Sequence, residues 1–189
     1  MRSIIAVFTA LIVAAGILGF GSLTSSKISA AVGGPIPERT PTTKTVRDIT
    51  FVEGEFDGVQ LIRTDAEWKK LLSETEFYIL RKEGTERSYT GSLLNNKKKG
   101  TYHCAACGLA VFSSAHKYDS DTGWPAFYQP IYKKNVTEKP DKSLPEEERT
   151  EIECARCGGH LGHVFDDGPE PTGLRYCINS AALRFKQTK

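Results

Sequence analysis

The chain has 189 residues, of which 39% are hydrophobic and 25% charged, and it contains five cysteines. This length suits one globular domain and excludes a (β/α)₈ barrel, and the composition excludes a collagen-like or largely disordered chain. Residues 1–31 carry two basic residues and no acid, so the remainder holds 23 basic and 23 acidic residues. A body without net charge gives no reason to expect nucleic acid as a partner.

The N-terminus has the pattern of an export signal. The apolar run Ile4–Phe20 follows Arg2 and precedes Ser29-Ala30-Ala31, small residues at the spacing that a signal peptidase accepts. At about 17 residues the run is long for a signal core and nearly long enough to span a bilayer. We therefore expect residues 1–31 to be a cleaved signal peptide, with a retained membrane anchor as the alternative. Either way the protein is expected to be exported or membrane-anchored, with its body outside the cytoplasm.

Residues 32–48 are rich in Pro, Gly and Thr and offer little to bury, which is typical of a solvated linker. The folded domain is expected to occupy residues 49–189.

Two capping boxes predict short helices at the start of this domain. Thr64–Glu67 is the first box, and apolar residues follow it at helical spacing, which predicts a helix over about Asp65–Leu72. Ser73–Glu76 is the second box, and the helix after it is expected to end near Gly84.

After these helices the sequence changes to short β-like runs separated by turn residues. No crossover helix lies between the later runs, so the sheets are expected to be antiparallel. Pro140–Glu148 is predicted to be an exposed polar connection with one helical turn. The predicted strands are Tyr102–Cys104, Leu109–Phe112, Thr150–Cys154, Leu161–Phe165, Leu174–Asn179 and Ala182–Lys186.

A duplicated Cys-x-x-Cys-Gly motif predicts a metal site. The two copies are separated by 46 residues, so a shared site would join distant parts of the chain. Four sulfur ligands suit one tetrahedral, structural zinc ion, and a closed set of four leaves no position for substrate. Two disulfides or a redox-active dithiol are the alternatives. The predicted ligands are Cys104, Cys107, Cys154 and Cys157.

Cys177 remains outside this set, in Gly173–Ser180. On a strand, Arg175, Cys177 and Asn179 would share one face, since side chains alternate. A nearby guanidinium favours the thiolate, which indicates a nucleophile, whereas an inert buried cysteine is the alternative.

Two histidines lie upstream of Cys177. His160 and His163 would face opposite ways on a regular strand, so a common pocket requires a bend, which Gly162 permits. They could act as acid–base groups, zinc ligands or core residues. Asp166 or Asp167 is by default a turn residue, and either could instead orient a histidine.

Together these segments resemble the methionine-R-sulfoxide reductases of the MsrB type. The resemblance runs from about Thr75 to Phe185 and includes both cysteine motifs, the Gly123-Trp124-Pro125 loop, and the segments around His160–Phe165 and Gly173–Ser180. It implies a mainly β domain of two antiparallel sheets with short helices, stapled by one zinc ion.

The resemblance also implies roles for the remaining residues. Cys177 would be the nucleophile, His160 and His163 would bind and protonate the sulfoxide oxygen, and Trp124 and Phe127 would form the apolar substrate wall. Arg175 and Asp167 would set the charge around the thiol and His163, with Asn179 in support. The substrates would be proteins that contain methionine sulfoxide, and the product on Cys177 would be a sulfenic acid.

The chain departs from this family at three positions. Thr122 stands where many members carry a second, resolving cysteine, Asp121 where glycine is common, and Ala126 where serine is common. We therefore expect recycling by an external, thioredoxin-like thiol protein. Nothing in the sequence requires more than a monomer. The alternative functions are a zinc-stapled, non-catalytic binding module and a disulfide oxidoreductase.

Overall fold

Two short helices open the folded part of the chain in a computed structural model that describes residues 50–144 and 147–189. Helix α1 spans Asp65–Leu71 and helix α2 spans Glu74–Lys82. Both predicted capping boxes form, so each helix has its first backbone N–H groups satisfied by side chains. Helix α2 ends at Glu83, which takes the left-handed conformation with φ 53° in place of the expected Gly84.

The remainder of the described chain is mainly β, as predicted. The strands are β1 (Gly100–Cys104), β2 (Ala110–Ser113), β3 (Lys117–Tyr118), β4 (Ala126–Phe127), β5 (Val136–Leu144), β6 (Glu147–Cys154), β7 (His160–Phe165), β8 (Arg175–Ile178) and β9 (Leu183–Gln187).

These strands form two antiparallel sheets. One has the order β2-β1-β9 and the other the order β3-β4-β8-β7-β6-β5. All six predicted runs lie on strands, but the prediction of a connection with a helical turn over Pro140–Glu148 is wrong. Pro140–Leu144 belongs to β5 and Glu147 and Glu148 belong to β6, and these two strands pair with each other. Because β5 is the edge strand, it tolerates a proline and many charges that a central strand would exclude.

Aromatic side chains join the two sheets. Phe127 on β4 stacks on Phe112 of β2 at 4.5 Å between ring centroids and meets Tyr102 of β1 edge-on at 5.0 Å. Tyr176 on β8 lies 5.8 Å from Phe112. The face of the large sheet that carries Phe127 and Tyr176 is therefore the core face, and the alternate residues of β4 and β8 point away from the core.

The predicted signal and linker, residues 1–48, lie outside the described residues. Over residues 50–144 and 147–189, no helix is sufficiently long and apolar to cross a membrane.

Candidate active site and metal centre

Two tight turns bring the four motif cysteines together. The first turn follows β1 and the second follows β6, and they use the same hydrogen bonds. In each, the glycine after the second cysteine donates its N–H to the carbonyl of the first cysteine at 2.8 Å. Gly108 and Gly158 have φ of 79° and 61°, a conformation that is costly for other residues. The sulfur atoms of Cys104, Cys107, Cys154 and Cys157 are buried and lie within 4.8 Å of one another.

The spacing of the sulfurs fits a zinc ion, and the described cysteines are all free. The Sγ atoms of Cys104 and Cys157 are 3.7 Å apart, and those of Cys107 and Cys154 are 3.5 Å apart. A tetrahedron with Zn–S bonds of about 2.3 Å has edges of roughly 3.8 Å, whereas a disulfide needs about 2.05 Å. The prediction of a structural zinc site is confirmed. Its four sulfurs complete the coordination of the ion and leave no position for substrate.

Away from this centre, the large sheet carries a row of chemically distinct residues. Because directly paired residues of neighbouring strands point to the same face, the row can be read from the strand register. It lies on the face opposite the aromatic core. From β3 to β5 its members are Tyr118, Ala126, Cys177, His163, Glu151 and Lys139.

A β-bulge brings the second histidine to the same face. Ile152 pairs with Gly162 and Glu153 pairs with His160, so β7 has one more residue than β6 at this point. As a result the ring centroids of His160 and His163 are only 5.3 Å apart. The bend that a common face of the two histidines requires is thus present between His160 and Gly162.

Each histidine has a carboxylate partner from the β5–β6 hairpin. His163 Nε2 lies 2.9 Å from Asp141 Oδ2, which also accepts a hydrogen bond from Arg149 at 2.6 Å. His160 Nδ1 lies 2.6 Å from Glu151 Oε1, and both side chains are buried. Burial lowers the pKa of both histidines, although the bond to Asp141 partly offsets this for His163.

The alternative role of Asp167, orientation of a histidine, finds no hydrogen bond to support it among the described residues. Asp167 instead accepts two hydrogen bonds from Arg175, at 2.7 and 2.8 Å. The same guanidinium lies 4.3 Å from the centroid of the Phe165 ring. Asp167 thus fixes Arg175 over Phe165 and does not reach His163.

The pKa of Cys177 also differs from the expectation, because burial affects it more than the Arg175 charge does. Burial raises the pKa of its thiol, while Thr122 and the Arg175 charge lower it to a smaller extent. Because Asp167 neutralises Arg175, the guanidinium cannot outweigh the burial of the thiol. Without substrate, Cys177 is therefore mainly a protonated thiol at neutral pH.

Cys177 opens into a cavity of about 120 Å³. Trp124 and Phe165 supply its apolar walls. The expected wall residue Phe127 is fully buried in the core, because its position on β4 is offset by one from Ala126, which pairs with Cys177. His160 does not line this cavity. The complete lining is Thr85, Trp124, Arg149, Gly162, His163, Phe165, Cys177 and Asn179.

Glu86 ties the Trp124 loop to the end of β8. Its carbonyl accepts the Trp124 indole N–H at 3.0 Å, and its carboxylate accepts the backbone N–H groups of Ser180 and Ala181. The Glu86 N–H donates to the side-chain oxygen of Asn179 at 3.0 Å. Asn179 thus joins one cavity wall to the strand that carries Cys177.

The loop before Trp124 places Thr122 beside the thiol. Its hydroxyl oxygen is 3.9 Å from Cys177 Sγ. Asp121 has φ 55°, the left-handed conformation that glycine adopts most easily and that Asp tolerates better than most residues. The departure from glycine at position 121 therefore keeps the loop conformation and adds a carboxylate.

Sequence reasoning missed Asp141, Arg149 and Glu151. The sequence pattern could have indicated two of them, because the charged residues Arg149 and Glu151 alternate with Thr150 and Ile152 at and next to the predicted strand. Such an alternation indicates a second, polar face of the strand. Asp141 was missed because its segment was predicted to be a connection and not a strand.

Comparisons with known proteins agree with this geometry. A family model described as the SelR domain matches residues 72–187. Peptide methionine sulfoxide reductase MsrB of Leptospira interrogans is 58% identical over 125 residues, which are 66% of this chain and 95% of that protein. MsrB of Methanosarcina barkeri is 53% identical over 66% of this chain and 87% of its own length. The chloroplastic peptide methionine sulfoxide reductase B1 of Oryza sativa is 55% identical over 67% of this chain and 58% of its own length.

Proposed function

The chain belongs to the SelR-domain family of MsrB-type methionine sulfoxide reductases, and on that premise we propose that it reduces R-methionine sulfoxide in proteins to methionine. One observation carries the proposal for this site. Cys177, which is outside the four-sulfur centre, pairs directly with His163 on the neighbouring strand, and both line the same cavity. A nucleophile and an acid thus meet where a substrate side chain fits.

In the proposed reaction, the Cys177 thiolate attacks the sulfoxide sulfur and a proton is added to the sulfoxide oxygen. The S–O bond of the substrate and the new S–S bond then break as the protonated oxygen moves to the Cys177 sulfur, which becomes a sulfenic acid, and the thioether of methionine is released. The thiol sulfur loses two electrons and the sulfoxide sulfur gains them. An acid is needed because an oxide oxygen leaves poorly until it is protonated.

His163 is the proposed acid, since it lines the cavity and is oriented by Asp141. His160 would act through His163 and not on the substrate, because its ring lies close to His163 but outside the cavity. The Cys177 thiol would lose its proton to water in the cavity, which gives the nucleophile, and His163 would deliver a separate proton to the oxygen. The pKa of Cys177 is raised by burial, so loss of the thiol proton would depend on bound substrate.

The apolar walls would select the methyl group of the substrate. Trp124 and Phe165 are the aromatic residues of the cavity lining, and most of the other lining residues are polar. A sulfoxide sulfur is chiral, so the positions of the apolar and polar groups would fix which epimer presents its oxygen to His163. Arg175 and Asp167 would hold Phe165 in place, and Asn179 would hold the Trp124 loop.

Zinc, when bound, supplies structural cross-linking, because the four cysteines close its coordination. Arg156 reinforces this junction by donating from the second turn to the Cys107 carbonyl of the first, at 3.0 Å.

An external thiol would then regenerate Cys177. Thr122 stands next to the thiol and cannot form a disulfide, and the other four cysteines are in the metal centre. Attack of an external thiol on the sulfenic acid gives a mixed disulfide and water, and a second thiol releases Cys177. A thioredoxin-like protein supplies two such thiols and is the proposed reductant.

The N-terminal pattern supports a further part of the proposal: export, or membrane anchoring with the domain outside the cytoplasm. The domain would act there as a monomer on oxidised proteins, with a reductant on the same side of the membrane.

Separate assays of R- and S-methionine sulfoxide peptides with dithiothreitol test the proposal. We expect turnover of the R epimer alone, and no turnover by Cys177→Ser with its zinc content unchanged. A protein that binds zinc and folds but turns over neither epimer would instead be the non-catalytic binding module. A metal-free protein with a titratable disulfide would favour the disulfide oxidoreductase.

A further inference from the structure

The Glu151–His160 pair is buried beside the substrate cavity but does not line it. The side chain of His160 is 2% exposed and that of Glu151 is 10% exposed, and a 2.6 Å hydrogen bond joins them. Among the described residues, His160 Nε2 is buried without a hydrogen-bond partner. Such a nitrogen usually serves a water molecule or a transferred proton, because leaving it unpaired is costly.

A second cavity is lined by both members of this pair. It has a volume of about 340 Å³ and is distinct from the cavity that holds Cys177. Exposed side chains of Glu83 and Lys139 border it, so the cavity opens to solvent. Its lining is Leu80, Arg81, Glu83, Lys139, Glu151, Glu153, Gly158 and His160.

An imidazole in this position can conduct a proton. When Glu151 is protonated, it donates to His160 Nδ1, and the proton of His160 then resides on Nε2. When Glu151 is ionised, His160 carries its proton on Nδ1 and Nε2 is free to accept. A proton that enters at Glu151 can therefore leave at Nε2, on the side of the ring away from the bond to Glu151.

We infer that Glu151 and His160 form a proton relay that supplies His163 from this second cavity. The inference rests on the proposed reductase function, in which His163 gives one proton to the sulfoxide oxygen. Water in the cavity protonates Glu151, Glu151 passes a proton to His160 Nδ1, and Nε2 passes one to His163 through one water. Each step moves one proton and no electrons. The substrate can thus fill its own cavity without blocking the proton supply.

The charges around the pair are compatible with a transferable proton. Burial raises the pKa of Glu151 and lowers the pKa of His160, which brings the two groups closer in acidity. The Glu153 carboxylate accepts a hydrogen bond from Lys139 at 2.7 Å and, among the described residues, makes none to a histidine. The charged or titratable groups that face the pair are Glu83, Glu153, Lys139, Arg81, Asp141, Arg149 and His163.

Glu151→Gln tests the relay, with Glu153→Gln as the matched control on the same strand and face. The amide in place of Glu151 keeps the shape and can accept from Nδ1–H, but it cannot carry a proton. We expect kcat for the R epimer to fall about tenfold, with KM unchanged, because the proton supply to His163 is slowed while His163 and the substrate cavity are intact. Glu153→Gln should retain the wild-type kcat, and both variants should retain zinc. A wild-type kcat in Glu151→Gln would overturn the relay.

Nitrogen-15 NMR of histidines in the wild-type protein gives a readout that needs no variant to fold. The relay requires a neutral His160 at pH 7, with one ring nitrogen protonated. A His160 that is doubly protonated from pH 6 to 8 would be a static ion pair and would overturn the proposal. Absence of wild-type turnover would refute the reductase function, whereas turnover with equal rates in both glutamine variants would refute only the relay.

Discussion

Gly162→Ala tests whether activity depends on the close packing of β7 against β8. A Cβ atom at position 162 would lie 2.1 Å from the Cys177 carbonyl oxygen and 3.0 Å from Ile178 Cα. Ordinary contacts of a Cβ begin at 3.4 Å, so β7 and β8 would have to separate by about 1.3 Å, the difference between 3.4 and 2.1 Å. Both contacts are backbone atoms of a central strand, which cannot rotate out of the way.

The expected effects are large on activity and moderate on stability. Overpacking of this kind costs about 1–3 kcal/mol of unfolding free energy. His163 follows Gly162 directly and pairs with Cys177, so the separation moves the acid away from the nucleophile. A misplacement of about 1 Å can lower the rate about 100-fold. We therefore expect kcat/KM for the R epimer to fall about 100-fold.

Gly173→Ala is the control for backbone strain. Gly173 has φ 71°, and no atom lies within 4 Å of a Cβ built there. Alanine at this position should cost about 1–2 kcal/mol through the left-handed backbone alone and leave kcat/KM unchanged. Urea unfolding and steady-state kinetics of both variants separate the two effects. If Gly162→Ala were as active as Gly173→Ala, the proposed dependence on the β7–β8 register would be refuted.

Three further predictions concern the metal, pH and recycling. Cys154→Ser removes one of four sulfur ligands, so the zinc content measured by atomic absorption should fall below one ion per chain. The free energy of unfolding should fall by several kcal/mol. Retained zinc and unchanged stability would contradict the assigned centre. The pKa of His163 lies below 6.5, so the unfolded chain binds a proton more readily, and stability should fall as the pH drops below about 6.5. Urea unfolding at pH 7.5 and 5.5 should show this loss more strongly in the wild type than in His163→Gln, and an identical pH dependence would refute it. Thr122→Cys places a thiol near Cys177 Sγ, because Thr122 Oγ1 lies 3.9 Å from that atom. One turnover should therefore form a disulfide between positions 122 and 177, which peptide mapping detects. A persistent sulfenic acid would contradict that geometry.

Features fixed by neighbouring residues could be predicted from the sequence. The two capping boxes define the helices because their hydrogen bonds lie within four residues. The cysteine turns form in the same way around Gly108 and Gly158. For the two histidines, the neighbouring residues indicate only that Gly162 permits a bend; the β-bulge that brings His160 and His163 together is set by the pairing of β6 with β7.

Features fixed by strand register were not predictable. Phe127 and Ala126 are adjacent in sequence, and only the pairing of Ala126 with Cys177 shows which one faces the site. The partner of His163 depends on the β5–β6 hairpin, because Asp141 is 22 residues away along the chain. The composition of β5, with its charged residues and Pro140, is typical of a loop. An edge strand tolerates this composition because it pairs with a neighbouring strand on one side only.

The central claim is that Cys177 alone takes the oxygen from the substrate. Mass spectrometry of the intact zinc-bound protein, after one turnover of R-methionine sulfoxide without reductant, measures this directly. We expect one added oxygen per chain, located on the peptide that contains Cys177, and an equal amount of methionine. Methionine formed while Cys177 remains unmodified, or while a disulfide appears among the four zinc-site cysteines, would contradict the account.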